Sequence, residues 1–569
     1  MKSFIFTGMT GLMLVLAGCD SDSVEIPVQE FGAIPDDGQD DVASINQAIR
    51  AAAEQAPATV VFEPGTYNLK EEPGTLDTLI DLSKISGVTL LGQVDADGNP
   101  ATRIERNVTV LGNDQDVAKQ IAIVGSTNIT LKNLVLDNMP PFATSGKITA
   151  VDPVVDTVDV EIFEGQPHFD GMRCYSANSW NLETGELINV PALTIGTSKK
   201  KFSNVWKKTG EQSYRIQGLG FSDRVDPGQG ISWHFYVVGK GWQVFIDQSS
   251  DVRLENVHIN NTKGLGVLAK SSRDLAFVEV VTRPVKPALA VGARDAFHLV
   301  CNDGSLLIED CTIKGYRWDP MNIKSKFCEV LEVAGPRTLN CEVRTGSELP
   351  PIAGSAVVFW VGDRPFTAMV SSESWSAETV RKKSYLGNLP YRTFTLEFAE
   401  DLPETVLPGV RFTPQAWTFD SAEIKNTVIE GNYGRGILYQ GENLHVDGCT
   451  FRNNSYADIA LGPVEILEGG FVRHAVIENC LFERSSWILK SNTEMPGNIS
   501  LFQACDRDFS TEPYNEDITI RNNVFKDCFM SAISIANAQN VTLSGNRFVG
   551  CANNVLIDDQ SSLEIRQEP

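Results

Sequence analysis

The sequence predicts an all-β fold: a parallel β-helix carrying two inserted small antiparallel β modules. Two observations predict it. One is a short pattern, apolar or small at relative positions 0, 2, 5 and 7, that returns along the chain. The other is its spacing. The copies at Val252 and Leu275, at Ala422 and Leu444, and at Ile518 and Val541 lie 23, 22 and 23 residues apart. That is about one coil of a solenoid, in which each coil buries its apolar face against the next.

The pattern reads Ile129-Leu131-Leu134-Leu136, then Val252-Leu254-Val257-Ile259, Leu275-Phe277-Val280-Thr282 and Leu306-Ile308-Cys311-Ile313. It returns from Ala422, Leu444, Ala475, Ile518 and Val541. The period of two at its start marks a strand with one buried face. The step from position 2 to position 5 needs a bend. Asn133, Asn256, Asp310, Asn426, Asn479 and Asn522 at position 4 suit it, because Asn and Asp tolerate the left-handed conformation. Cys311, Cys449 and Cys480 fall at the inward position 5 and read as small buried hydrophobes rather than disulfide partners. Asn523 and Asn546 at that same position suggest an internal hydrogen-bonded ladder.

Two stretches lack the pattern, and they set the expected organisation. Coils occupy 19–138, 241–325 and 421–569; inserted modules of short strands with Gly and Pro occupy 139–240 and 326–420. Such insertions leave a solenoid at its turns and overhang one face.

The first residues read as a targeting segment. Lys2 is followed by an apolar run, Ile5 to Ala17, too short to remain in a bilayer. It ends in Leu16-Ala17-Gly18-Cys19, which resembles a bacterial lipobox. The expectation is a signal peptide over 1–18 and a lipid on Cys19. This would place the chain in a Gram-negative cell envelope, at the outer membrane or the cell surface, with membrane contact only through the anchor. The formal net charge of −25 argues against a nucleic-acid partner. It also disfavours long anionic glycans unless a basic groove exists locally. The eleven cysteines show no metal-ligand spacing, and Asp36 to Asp41 read as a helix-capping segment rather than a calcium site.

Phe31-Gly32-Ala33, the aspartates that follow, and Val60-Val61-Phe62-Glu63-Pro64-Gly65 resemble the opening of pectate-lyase-like β-helix enzymes. The middle of the chain is more specific. Pro140-Pro141-Phe142, Asp295-Ala296-Phe297-His298, Asp319-Pro320-Met321-Asn322 and Gly434-Arg435-Gly436 resemble family 110 glycoside hydrolases, the α-1,3-galactosidases. The resemblance implies a right-handed coil, barrel-like insertions, and removal of terminal α-linked galactose with inversion. It implies no metal and no cofactor. It departs at one point: the family shows two adjacent aspartates before Pro-x-Asn, and this chain has Trp318-Asp319.

Spacing singles out the same residues. Asp295 and Asp319 are 24 apart, as are His298 and Asn322, so each pair can occupy neighbouring rungs about 4.8 Å apart. Asp319 and Arg435 each lie 13 residues past a repeat anchor, and Asp458 lies 14 past one. Glycoside hydrolysis with inversion needs two carboxyl groups about 6.5–9.5 Å apart. Asp295 and Asp319 are the expected pair, with neither assigned as acid or base. His298, Asn322, Lys324, Arg435, Asp458 and Glu468 are candidates to hold the sugar, and Trp318 to offer it an apolar face. The expected partner is an α-galactoside-containing glycan. Oligomeric state is left open. Two alternatives stand beside hydrolysis: a polysaccharide lyase working through Lys324 and Arg435, and a non-catalytic glycan-binding surface protein.

Overall fold

In a computed structural model, residues 23–568 are described apart from 73, 110–111, 114–115, 193–204, 219, 236–240, 347, 363, 385–386, 465–467, 489–495 and 503–511. The signal segment and Cys19 lie outside the described residues.

The solenoid is built from a parallel sheet of 22 strands and a parallel sheet of 11 strands. The repeat stacks in the predicted register. Ile129, Val252, Leu275 and Leu306 are successive partners, followed by Ala422, Leu444, Ala475, Ile518 and Val541. Every position 4 has positive φ, including Glu279 at 54° and glycines 448 and 545 at 64° and 60°. The apolar positions line one continuous core that runs the length of the coil. Within it Phe451, Phe482, Phe525 and Phe548 stack face to face, 4.9, 4.8 and 5.3 Å between successive ring centres.

Polar residues at inward positions pair with one another. Asn546 Oδ1 accepts the Asn523 backbone N–H at 3.0 Å, and Asn523 Oδ1 accepts that of Cys480 at 2.9 Å. All nine described cysteines are free thiols. At the first coil, the helix Val42–Ala53 buries Ile45, Ala48, Ile49 and Ala52 against the end of the core. Asp36, Asp40 and Asp41 lie just before this helix. They accept backbone N–H groups of Thr66, Lys70 and Asn68, pinning the start of the helix to the strand Gly65–Glu71.

The first insertion forms an antiparallel sheet of eight strands running from Ala143–Asp152 to Gly230–His234. Its core holds Trp206 stacked on Trp233 at 4.4 Å. The second forms a closed barrel of six strands, from Cys328–Gly335 to Arg411–Pro414. The coil resumes after each excursion with its register intact. Val252 lies beside Ile129, and Ala422 beside Leu306. The right-handed parallel β-helix with inserted antiparallel β modules is therefore the fold.

Candidate active site

The site grows from three stacked strands of the smaller sheet: Phe297–Val300, Met321–Lys324 and Ile437–Tyr439. Phe297, Leu299, Met321 and Ile323 point into the core. Alternation along a strand then sends His298, Asn322 and Lys324 to the outer face. His298 pairs with Asn322, and Val300 with Lys324. Asp295, Asp319 and Arg435 each lie two residues before a partner in this register, since Phe297 pairs with Met321 and Met321 with Ile437, and they form the column that leads into the three strands.

The column divides into two charge groups. In the first, Asp295 is fully buried and its Oδ2 accepts the His298 Nδ1–H at 2.6 Å. The Arg294 Nε lies 3.8 Å from Oδ1. Burial alone pushes the Asp295 carboxyl upward; the His298 hydrogen bond and the charges of Arg294 and Lys324 outweigh it and hold it below the usual carboxylate range. Burial, then the charge of Lys324, holds the His298 imidazole below its ordinary value. A neutral ring beside an ionised carboxylate donates Nδ1–H and keeps Nε2 as an acceptor.

Lys324 continues the group outward. Its ammonium lies 2.6 Å from Glu468. That charge overrides the burial of Glu468 and brings its carboxyl down to about 2. Glu468 arrives from a later coil on a loop held by a bridge between Gly469 and Ser325.

The second group is a closed ion pair. Asp319 accepts the Arg435 backbone N–H at 2.8 Å and its Nη1–H at 3.1 Å, with both side chains 2% exposed. Gly434 permits this approach. At φ +154°, a Cβ there would sit 2.4 Å from the carbonyl carbon and oxygen of Trp318.

Two expectations are corrected. Trp318 does not present an open ring to a sugar. It is 9% exposed, packed with Tyr433, Tyr456 and the first module's Trp180, with the Arg294 guanidinium over its ring at 5.7 Å. Asp458 does not join the column. It pairs one step away, beside Gly436 and Asn498, and is closed off with its two oxygens accepting Asn454 and Asn498 amides at 2.9 and 2.8 Å. Burial outweighs those bonds and pushes its carboxyl up to about 7.

Arg294, Trp180 and Tyr433 were missed in the sequence. Tyr433 does carry a signal, since it lies two residues before Arg435 in the motif. Its ring has the Arg317 guanidinium 3.9 Å from the centroid, and its hydroxyl meets that of Tyr456.

The fold defines a class, the right-handed parallel β-helix proteins. Residues 26–138 match the family model described as rhamnogalacturonase A/epimerase, pectate lyase-like, and residues 408–568 match the right handed beta helix region. Within that class the resemblance to the α-1,3-galactosidases holds over nearly the whole chain. The chain is 22% identical to alpha-1,3-galactosidase B of Bacteroides thetaiotaomicron, covering 96% of this chain and 90% of that one. It is 20% identical to alpha-1,3-galactosidase A of Shewanella woodyi, covering 94% and 88%. A third relative, alpha-1,3-galactosidase B of Akkermansia muciniphila, is 22% identical over 92% of this chain and 66% of its own length.

Proposed function

We propose that the protein is an exo-acting glycoside hydrolase that removes a terminal α-linked galactose, or a closely related sugar, with inversion. The observation that carries this reading is the register. Phe297 pairs with Met321, and Asp295 and Asp319 each lie two residues before these partners, which supports reading them as neighbours, with His298, Asn322 and Lys324 on the outer face of the strands that follow. An inverting acid–base pair uses carboxyl groups about 6.5–9.5 Å apart, and neighbouring rungs stack about 4.8 Å apart. The His298 hydrogen bond and the charges of Arg294 and Lys324 hold the Asp295 carboxyl below the usual carboxylate range. The full-length likeness to α-1,3-galactosidases supports the substrate class.

In the lyase alternative Lys324 would have to leave Glu468 and Arg435 would have to leave Asp319; the second of these pairs must open for Asp319 to act in hydrolysis as well. One observation favours binding without turnover: Trp318 stands where the family carries a second aspartate. A panel of α-galactosides together with uronate-containing polysaccharides decides among the three. Hydrolysis releases free galactose, a lyase gives ultraviolet-absorbing products, and a lectin-like protein binds and releases nothing. Asp295→Asn and Asp319→Asn each lower turnover by about 10²–10⁴-fold if the two groups work as acid and base; near-normal rates in both variants remove the assignment. We further propose export and lipid attachment at Cys19, with the chain displayed at the cell surface. Protease shaving of intact cells tests this, and a protected protein counts against it.

A further inference from the structure

The stacked coil brings thiols together in pairs. Thr450 pairs with Leu481, so Cys449 and Cys480, one residue before each, lie on adjacent rungs. Lys526 pairs with Val549, and Cys528 and Cys551 lie two residues after them. Backbone bonds carry this second pairing onward. Asp527 N–H donates to the Val549 carbonyl at 2.8 Å, and Ala552 N–H to the Cys528 carbonyl at 3.1 Å. Neighbouring rungs stack about 4.8 Å apart, inside the Cα separation of about 4.4–6.8 Å that a disulfide spans. Both side chains pack against the same core, so they turn the same way.

The two pairs differ in access. Cys449 and Cys480 are 1% and 2% exposed. Cys528 is also buried, but its neighbour Cys551 is the one described cysteine that is not. Cys551 sits where the coil is least covered, since Phe529, Val549, Leu556 and Leu563 are all exposed there. Rungs with few buried apolar contacts open readily. Burial, then the side-chain contact with Cys551, pushes the Cys528 thiol up from its ordinary value. Cys551 is therefore the thiol that meets an oxidant first, and Cys528 the one that resolves the product.

From this geometry, we propose that Cys528 and Cys551 are a disulfide-forming pair that staples the last coils of the solenoid, with a small-molecule disulfide as the oxidant. The Cys551 thiolate attacks one sulfur of that disulfide. The S–S bond breaks and one small thiolate leaves. The Cys528 thiolate then attacks the Cys551 sulfur, and the second small thiolate leaves. The two cysteines lose two protons, and the two leaving thiolates take them up. The cysteine pair is oxidised and the small disulfide is reduced to two thiols. Nothing in this step depends on the sugar chemistry of the candidate active site. Export, proposed above, would place the chain where such bonds persist.

The test exposes the folded full chain to glutathione disulfide, blocks the remaining thiols after unfolding, and maps the peptides by mass spectrometry. Trypsin cuts after Lys526, Arg547 and Arg566, which leaves Cys528 and Cys551 as lone cysteines in peptides 527–547 and 548–566. The two peptides are expected to appear joined, lighter than their sum by two hydrogens. Cys449 and Cys480 are expected to remain free thiols. In Cys528→Ser, Cys551 is expected to stop as a glutathione adduct; in Cys551→Ser, Cys528 is expected to stay free. Hydrogen exchange at the Asp527 and Ala552 amides, which bond across these rungs, should slow by about tenfold or more on linkage and recover with reductant. In the unmodified chain, Cys551 that halts at the glutathione adduct, joins another cysteine or stays free overturns the pairing. Linkage of Cys449 to Cys480 at the same rate overturns the role of access, and unchanged exchange overturns the staple. The unmodified chain alone decides the pairing, so a variant that fails to fold leaves the test intact.

Discussion

Asp295→Asn tests the electrostatics of the site at one titrating group. His298 Nδ1 lies 2.6 Å from Asp295 Oδ2. Two causes hold the imidazole below its ordinary value, burial and then the cations Lys324 and Arg294, and Asp295 alone opposes them. Amide for carboxylate keeps the shape and removes the opposing charge. A hydrogen bond to a charged group is worth about 1.5–3 kcal/mol, and one pKa unit is about 1.4 kcal/mol. The His298 pKa therefore falls further in the variant. The sign is fixed: losing a neighbouring anion disfavours the imidazolium. Imidazole NMR titration reads this directly, and with six histidines in the chain a His298→Gln sample identifies the signal. An unchanged or raised pKa would mean that Asp295 is already protonated in the folded chain, which would refute the reasoning.

Other consequences follow from the same geometry. Arg435→Met strands the buried Asp319 carboxylate and destabilises by about 3–5 kcal/mol; adding Asp319→Asn recovers part of the loss, and simple additivity in a thermal-melt double-mutant cycle would contradict the pairing. Asp458, pushed up to about 7 from 3.8, penalises the folded state as pH rises from about 4 through 7. Asp458→Asn should thus flatten the fall in melting temperature between pH 5 and pH 8, and an unaltered profile would show that the group does not titrate there. Gly434→Ala drives a methyl into the Trp318 carbonyl and should displace the Asp319 rung, costing about 10²-fold in turnover; normal kinetics would show that the rung tolerates the shift.

The coil was legible because a stacked strand repeats its physics every turn. Each apolar position must face the same core, and each bend needs a residue tolerant of positive φ. Even Glu279, which breaks the Asn/Asp preference, takes that conformation, with φ 54°. The candidate column was legible for the same reason: equal spacing in sequence becomes adjacency in space. Asp458 shows how narrow that inference is. The true column member is Ala457, 13 residues past the anchor at Leu444 as Asp319 and Arg435 are past theirs, and a slip of one sends the side chain elsewhere. Contacts made by excursions carry no such period. Nothing in the spacing predicts that Trp180 from the first module packs with Trp318, or that Glu468 loops back to Lys324.

The most direct test of the stacked carboxyl pair is proton NMR of the first sugar released from a terminal α-1,3-galactoside, followed within minutes of mixing. The account predicts β-galactose first, mutarotating later to the α anomer, and no release from the Asp295→Asn or Asp319→Asn protein on that timescale. Appearance of α-galactose first, or undiminished release from either variant, would contradict it.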